Sequence, residues 1–292
     1  MVRILPIWHG VIATLVSCAI AMPLVAGPTF ADEKIEELEG VGITEHLDEQ
    51  LPLDLTFIDE NGYEIVLGDY FNKETPVILT LNYYKCPMLC SLTLNGLVTG
   101  MEELEWSLGD KYEVITLSIN PDEDAPLAKK NKEGYLGHYN RSGSESGWHF
   151  LTGEQENITK LAEAVGFGYV FDPQTGEFHH TASIMFITPD GRISKYMNDV
   201  SFAGQDLRFA LVEASEGKIG TTLDRLLLFN CFQYDPDRNS YTPSAWKLMR
   251  TGAVLMLVVL CGGLAVLGWT SPKRSGSLVK SKKSSDMDGS TT

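Results

Sequence analysis

Between residues 52 and 235 the sequence predicts an α/β domain in which helices flank a mixed sheet, and beyond it one C-terminal transmembrane helix. Short apolar, β-branched runs alternate with helix-like stretches, which is typical of layered α/β domains. One run, PVILTLNYY at 76–84, is continuously apolar, as in a strand buried on both faces. Residues 251–270 contain no charged residue and are long enough to cross a bilayer.

Local patterns predict each element of the domain in turn. Two short strands at 55–58 and 63–66 flank Asn61-Gly62, a strong hairpin signal. The buried strand at 76–84 leads into a helix over 91–108. The later elements are predicted at 112–119 (strand), 125–139 (helix), 148–151 (strand), 154–165 (helix), 181–188 (strand), 192–196 (strand) and 205–213 (helix).

The charge pattern excludes one class of partner. The chain of 292 residues has a net charge of −16, and nearly all of the acidic excess lies between residues 32 and 270. A field of this sign repels nucleic acid, so no nucleic-acid partner is expected. Solubility explains most of these charges.

Both ends of the chain indicate export and membrane anchoring. Residues 1–31 are typical of a secretory signal peptide: Arg3 precedes an apolar run that ends in small residues at Ala31, although an uncleaved anchor is the alternative. Basic residues after the span at 251–270 place the tail, 271–292, in the cytoplasm. The protein is therefore expected to be a single-pass cell-membrane protein whose domain lies on the extracytoplasmic (periplasmic) side. A loose acidic lead-in at 32–51 and a juxtamembrane linker at 236–250 complete the predicted organisation.

Cys86 and Cys90 lie where the first buried strand meets its helix, the position at which the thioredoxin-like fold carries its chemistry. An exported domain of this size does not need disulfides for stability, so a close pair indicates a chemical role. If Pro87 opens the helix, Cys86 is its N-cap, and the spacing of four places both thiols on one face. The helix start favours thiolates, which bind soft metals and attack disulfides. Cu(I), zinc and redox exchange are all compatible with this pair.

Further residues favour copper, as Cu(I) or Cu(II). The pair has one residue more between its cysteines than the common redox motif, and no second cysteine pair or histidine cluster supplies the four ligands that zinc prefers. A histidine would complete a copper site. His179 and His180 are the candidates because they precede a predicted strand that can face the first helix. Neighbouring strand residues point to opposite faces, so only one of them can reach the sulfurs. Spacing alone does not say which.

Three blocks of residues resemble the Sco/SenC copper-chaperone family, and the resemblance spans roughly residues 52–215. Residues 86–90, Cys-Pro-Met-Leu-Cys, are similar to its Cys-Pro-x-x-Cys motif. Residues 118–126 are similar to its Ser-Val-Asp-Pro…Asp-Thr-Pro stretch, and His180-Thr181 with 189–192 to its Asp-His-Thr…Pro-Asp-Gly segment. The resemblance implies a thioredoxin-like fold, copper bound by Cys86, Cys90 and His180, and a role in building the binuclear copper centre of cytochrome c oxidase.

The chain departs from the family pattern in several places. Ser91 stands where proline often follows the second cysteine, Asn120 where aspartate is usual, and His179 where the family often has aspartate. The anchor is C-terminal, and the segment 226–234 extends past the usual domain end. That segment contains Cys231, which is expected to be a buried thiol beside the membrane. An auxiliary ligand and a partner contact are the alternatives.

These observations predict a membrane-anchored metallochaperone rather than an enzyme. It would pass copper to the copper-accepting subunit of cytochrome c oxidase and depend on a thiol–disulfide reductant, with the C-terminal helix in the membrane. In the first alternative, Cys86 and Cys90 are the redox pair of a thiol–disulfide reductase that keeps acceptor cysteines reduced. In the second, the protein is a copper or redox sensor that signals through its membrane segment.

Overall fold

The computed structural model of this protein describes residues 40–71, 74–216, 228, 231–235 and 238–270. The predicted signal peptide at 1–31 and the predicted cytoplasmic tail at 271–292 lie outside the described residues, as does most of 226–230. The elements named below belong to one unit, Val41–Thr292.

Strands and helices alternate along much of the described chain. The strands are β1 (Gly42–Ile43), β2 (Thr56–Ile58), β3 (Glu64–Val66), β4 (Val77–Asn82), β5 (Glu113–Ser118), β6 (Trp148–Leu151), β7 (Phe167–Asp172), β8 (Glu177–His180), β9 (Ile184–Ile187), β10 (Ile193–Met197), β11 (Phe232–Asp235) and β12 (Ser240–Pro243). The α-helices are α1 (Leu89–Glu102), α2 (Ala125–Tyr139), α3 (Gln155–Ala164), α4 (Gly204–Ala214) and α5 (Ala245–Thr270). A 3-10 helix, Leu67–Tyr70, follows β3.

A five-stranded mixed sheet has the order β10-β9-β4-β5-β6. β4 pairs in parallel with β5, and β5 with β6, so α1 and α2 form the crossovers. β9 runs antiparallel to both β4 and β10. The predicted mixed sheet flanked by helices is confirmed, and α2 and β6 have the predicted bounds.

β4 is buried on both faces, as its continuous apolar run predicts. All six of its residues are buried. Ile78 belongs to a cluster with α1 and α4, whereas Leu79 and Leu81 face a second cluster that includes α3. Because alternate residues of a strand point to opposite faces, this central strand joins the two halves of the core.

The start of α1 differs from the prediction. Met88 is the N-cap residue and Leu89 the first helical residue, so the expectation that Cys86 caps the helix and Pro87 opens it is wrong. Cys86 instead ends a turn that closes between its own N–H and the Tyr83 carbonyl, 3.2 Å apart, and Pro87 follows that turn. Cys86 therefore lies in the loop before the helix, and Cys90 in its first turn.

α1 also ends at Glu102, six residues before the predicted end. The Arg141 guanidinium donates hydrogen bonds to the carbonyls of Glu102, Leu104 and Trp106 at 2.6–2.9 Å. A basic side chain that is distant in sequence thus satisfies carbonyl groups at the end of this helix. The apolar pattern that predicted a helix as far as residue 108 continues past Glu102. Its last members, Leu104 and Leu108, are buried outside the helix.

The structure contains a small sheet that the sequence did not predict. β1, β7 and β8 form it in that order, with Gly176 at a φ of +75° in the β7–β8 turn. His179 and His180 consequently end β8, and they lie several residues before β9. The described part of the lead-in, 40–51, is packed rather than loose, since β1 pairs with β7 and Leu51 is 2% exposed.

The chain leads directly from a packed hairpin into the apolar helix α5. β11 pairs with β12, and the Tyr234 hydroxyl donates to the Tyr196 carbonyl at 2.8 Å. Part of the predicted linker at 236–250 is therefore strand and helix. Within α5, Ala245–Leu264 is long and apolar enough to cross a membrane, with a mean hydropathy of 1.6 and none of that stretch buried.

Substitution of Gly96 by alanine should destabilise the protein by about 1–3 kcal/mol, because overpacking at a close contact forces the main chain to move. A Cβ at Gly96 on α1 would lie 2.0 Å from the Val200 carbonyl oxygen. Gly134→Ala on α2 is the matched control, because nothing lies within 4 Å of its Cβ position. The control should raise stability by about 0.5–1 kcal/mol through helix propensity. Urea unfolding of the full chain in detergent would measure both, and equal stabilities would contradict the close approach.

Candidate metal centre

One edge of the mixed sheet gathers the chemically active residues. The carboxyl end of β4 leads into the loop that contains Cys86, and the carboxyl end of its parallel neighbour β5 meets the same edge. The pairings Asn82 with Ser118 and Thr80 with Ile184 set this register. Because β9 is antiparallel to β4, the segment entering β9 from His180 arrives at that edge as well.

The structure brings Cys86, Cys90 and His180 together. Their three potential ligand atoms all lie within 4.8 Å of one another. The Cys90 sulfur is 3.1 Å from His180 Nε2. Cys90 is 3% and His180 8% exposed, whereas Cys86 is half-buried. The group is therefore closed on the side of the core and reachable from solvent at Cys86.

β8 decides which of the two adjacent histidines faces the sulfurs. His180 is buried, whereas the His179 side chain is 45% exposed and its Nε2 lies 3.7 Å from Asp172 Oδ2. His180 Nδ1 lies 2.9 Å from the Thr181 carbonyl oxygen, which can only accept, so Nδ1 carries the proton and donates. The lone pair of Nε2 is then directed at Cys90, as a metal ligand requires.

Aromatic rings fix the orientation of the His180 imidazole. The Tyr83 ring meets it edge-on at 6.0 Å between centroids, and the Phe167 ring lies at 5.7 Å. The contact of Tyr83 with the imidazole is not predictable from the sequence. Phe167 belongs to the unpredicted small sheet. A pattern of aromatic residues at 167, 169, 171 and 178 is the signal that could have indicated this hairpin.

The two thiols have different electrostatic environments. A hydrogen bond from the Cys90 thiol is the largest effect that lowers the pKa of Cys86. Sharing that proton with Cys86, together with burial, raises the pKa of Cys90. The Cys90 main-chain N–H also donates to the Cys86 sulfur at 3.3 Å. The arrangement is a thiolate at Cys86 that accepts from a thiol at Cys90.

The remaining candidates lie apart from this group. Met88, between the two cysteines in sequence, is 66% exposed. Cys231 is half-buried with a free thiol, and it is not a member of the three-residue group found among the described residues.

The three donors fit a copper ion. Bonds of about 2.3 Å to a central ion put three ligand atoms roughly 4 Å apart in a trigonal arrangement. The observed separations, 3.1 Å between Cys90 Sγ and His180 Nε2 and no more than 4.8 Å for the others, need shifts of only about 1 Å to reach that geometry. Two soft thiolates and one imidazole are typical copper ligands, and zinc prefers a fourth. The group can therefore bind copper.

Comparisons with known proteins give a family match and a fold match. The sequence profile described as SCO1/SenC matches residues 46–208. A crystal structure of a candidate electron transfer protein from Aquifex aeolicus VF5 is 24% identical, with a TM-score of 0.51 over 59% of this chain and 96% of that one. This similarity is one of fold, and the predicted thioredoxin-like mixed sheet flanked by helices is confirmed.

Two further structures are more distant. BsSco, whose structure is described as that of a member of the Sco family of cytochrome c oxidase assembly proteins, is 21% identical, with a TM-score of 0.46 over 60% of this chain and 99% of that one. Copper-bound ScoI of Arabidopsis thaliana is 15% identical, with a TM-score of 0.45 over 56% of this chain and 96% of that one. No curated protein matches the sequence.

Proposed function

Because the chain belongs to the SCO1/SenC family, we propose that it is a membrane-anchored copper chaperone that delivers copper to the copper-accepting subunit of cytochrome c oxidase, at the binuclear copper centre. In this proposal one copper ion, the cargo, is bound by Cys86, Cys90 and His180. The observation that carries the proposal is the convergence of these three donors within 4.8 Å, although residues 90 and 180 are far apart in sequence.

The asymmetry of the site suggests an order of ligand exchange. Cys86 is the more accessible sulfur and is held as a thiolate, so it meets incoming copper first without losing a proton. Cys90 then releases its proton as it binds, and His180 offers Nε2, the ring nitrogen that faces Cys90. During delivery, a thiolate of the acceptor protein binds the copper ion. It replaces Cys86, because Cys86 is the ligand that an acceptor can reach from solvent.

Copper transfer and thiol redox state are coupled in this proposal. A disulfide between the Cys86 thiolate and the Cys90 thiol forms with the loss of two electrons and of the one proton on Cys90, and it removes two of the three donors. A thiol–disulfide reductant must supply two electrons before copper binds again. Copper loading therefore depends on the redox poise of the extracytoplasmic side.

A specific observation also favours the second candidate, a thiol–disulfide reductase that keeps acceptor cysteines reduced. An exposed thiolate beside a buried thiol is the arrangement of an attacking and a resolving cysteine. Cys86 would attack the acceptor disulfide, and Cys90 would release the acceptor from the mixed disulfide.

The membrane part of the proposal rests on α5. Ala245–Leu264 would span the bilayer, with residues 52–235 as the copper-binding domain on the extracytoplasmic side, 236–250 as the connection and 271–292 in the cytoplasm. The signal peptide at 1–31 would direct export. The order of these segments is consistent with a single-pass protein.

A transfer assay separates the three functions. The full chain, in detergent and loaded with one equivalent of Cu(I), is mixed with a reduced, copper-free fragment of the acceptor subunit. A chaperone should pass close to one copper ion to each acceptor, and its own thiols should remain reduced. In a second mixture the acceptor fragment is supplied oxidised and no copper is added. A reductase should reduce this fragment while Cys86 and Cys90 become oxidised. Deletion of 271–292 should leave copper transfer unchanged, whereas a sensor would lose its response.

A further inference from the structure

A buried carboxylate lies beside the loop that carries Cys86. Glu123, in the loop between β5 and α2, is 5% exposed. Its Oε2 accepts hydrogen bonds from the Tyr84 main-chain N–H at 2.7 Å and from the Ser118 hydroxyl at 2.6 Å. Its Oε1 accepts from the Lys85 main-chain N–H at 2.9 Å. A buried carboxylate is costly unless its oxygens are satisfied, and these three donors satisfy them.

The two main-chain contacts occur where the chain has left the sheet. The pairing of β4 with β5 ends at Asn82, so the N–H groups of Tyr84 and Lys85 lie beyond the ladder. These part-buried N–H groups have no ladder partner, and Glu123 provides their acceptors through charge-assisted hydrogen bonds. Lys85 directly precedes Cys86, so these bonds fix the two peptide groups, between residues 83 and 85, that lead up to Cys86. The loop thus depends on a side chain contributed by the neighbouring strand's loop.

We infer that Glu123 is a positioning residue, which holds the main chain before Cys86 so that the Cys86 sulfur stays within reach of Cys90 and His180. Glu123 is not a copper ligand in this arrangement, since both its oxygens are engaged by donors. Its effect on copper rests on the proposed function. Its effect on the placement of the two thiols does not, because that placement exists in the metal-free chain.

Glu123→Gln in the full chain tests the inference. Glutamine has the same size, but its NH2 group replaces one acceptor with a donor facing a main-chain N–H. We expect Cu(I) affinity, measured by competition with a chromophoric chelator, to fall about tenfold or more, because charge-assisted hydrogen bonds are lost. Asp122→Asn is the matched control. This variant removes one negative charge from the same loop, at the exposed residue that precedes Glu123. It should change Cu(I) affinity less than about twofold.

Two metal-free measurements separate positioning from a general loss of stability. The first is hydrogen exchange at the amides of Tyr84 and Lys85, which should quicken about tenfold in Glu123→Gln and not in the control. The second is the equilibrium with glutathione, in which the Cys86–Cys90 disulfide and two glutathione thiols give the dithiol and glutathione disulfide. A looser loop should shift this equilibrium towards the dithiol, because the two sulfurs meet less often.

The outcomes distinguish this inference from the proposed function. If the unmodified chain binds no copper but Glu123→Gln still shifts the exchange and the disulfide equilibrium, the copper function fails and the positioning role stands. If Glu123→Gln behaves like Asp122→Asn in both metal-free measurements, the positioning role is overturned. Should Glu123→Gln not fold, Ser118→Ala removes one of the three donors and should produce a smaller shift, about threefold, in both. If Ser118→Ala also behaves like Asp122→Asn in both measurements, the positioning role of Glu123 is overturned as well.

Discussion

Replacement of His180 by alanine should weaken Cu(I) binding roughly 100-fold or more, because it removes one of three donors. Binding should not vanish, since two thiolates alone can hold Cu(I). Cu(II) binding should be lost, because the harder oxidation state depends on the imidazole nitrogen. The ring is 8% exposed and lies against Tyr83 and Phe167, so its removal should also lower the free energy of unfolding by about 1–3 kcal/mol.

His179→Ala is the matched control for this change. The two histidines are adjacent on β8, but His179 is exposed and its ring lies near Asp172. We expect His179→Ala to change copper affinity less than about twofold and stability by about 0.5 kcal/mol or less. Chelator competition measures Cu(I) affinity, and absorption from sulfur-to-copper charge transfer reports Cu(II). Equal losses in the two variants would mean that β8 does not select His180 as a ligand.

The parts of the fold that local patterns predict are those in which a single strand or helix carries its own signal. β4 is recognisable because it is buried on both faces and therefore continuously apolar. α2 is recognisable because Asp124 caps it and Pro126 lies in its first turn. In such segments the sequence pattern and the tertiary environment agree.

Tertiary contacts decide the parts that the sequence did not predict. The end of α1 depends on Arg141, which lies 39 residues beyond Glu102, and the apolar pattern that continues past the helix is used in a buried turn. The β7–β8 hairpin has one exposed edge and mixed aromatic and polar residues, so its alternation is weak. Only its pairing with β1, far away in sequence, completes that sheet.

The metal centre shows the same division. The spacing of Cys86 and Cys90 indicates their chemistry, and strand alternation reduces the choice between His179 and His180 to one. The resemblance to the Sco/SenC family selected His180, and the structure turns that residue towards the sulfurs. Glu123 had no signal, because one acidic residue in a run of three acidic residues looks like a solvated surface. Its burial becomes visible only when the β4 and β5 ends meet.

Removal of the Cys90 thiol should raise the pKa of Cys86 towards its ordinary value of 9.0. The hydrogen bond from Cys90 is the largest influence that lowers this pKa, and burial, which raises it, remains in a Cys90→Ala variant. In the unmodified chain Cys86 should stay a thiolate down to mildly acidic pH. If the titration midpoint of Cys86 rises to about two pH units above the pH of the assay, the fraction of Cys86 present as thiolate at that pH falls roughly 100-fold.

The pH dependence of Cys86 alkylation by iodoacetamide, followed by mass spectrometry of its peptide, measures this midpoint in the metal-free chain. Cys231→Ala is the control, because it removes a free thiol outside the three-residue group and should leave the midpoint unchanged. An unchanged midpoint in Cys90→Ala would mean that main-chain donors such as the Cys90 N–H, not the Cys90 thiol, stabilise the thiolate. A raised midpoint would mean that the buried thiol prepares its partner: Cys86 meets copper already deprotonated, and only the proton on Cys90 must leave when the ion is bound.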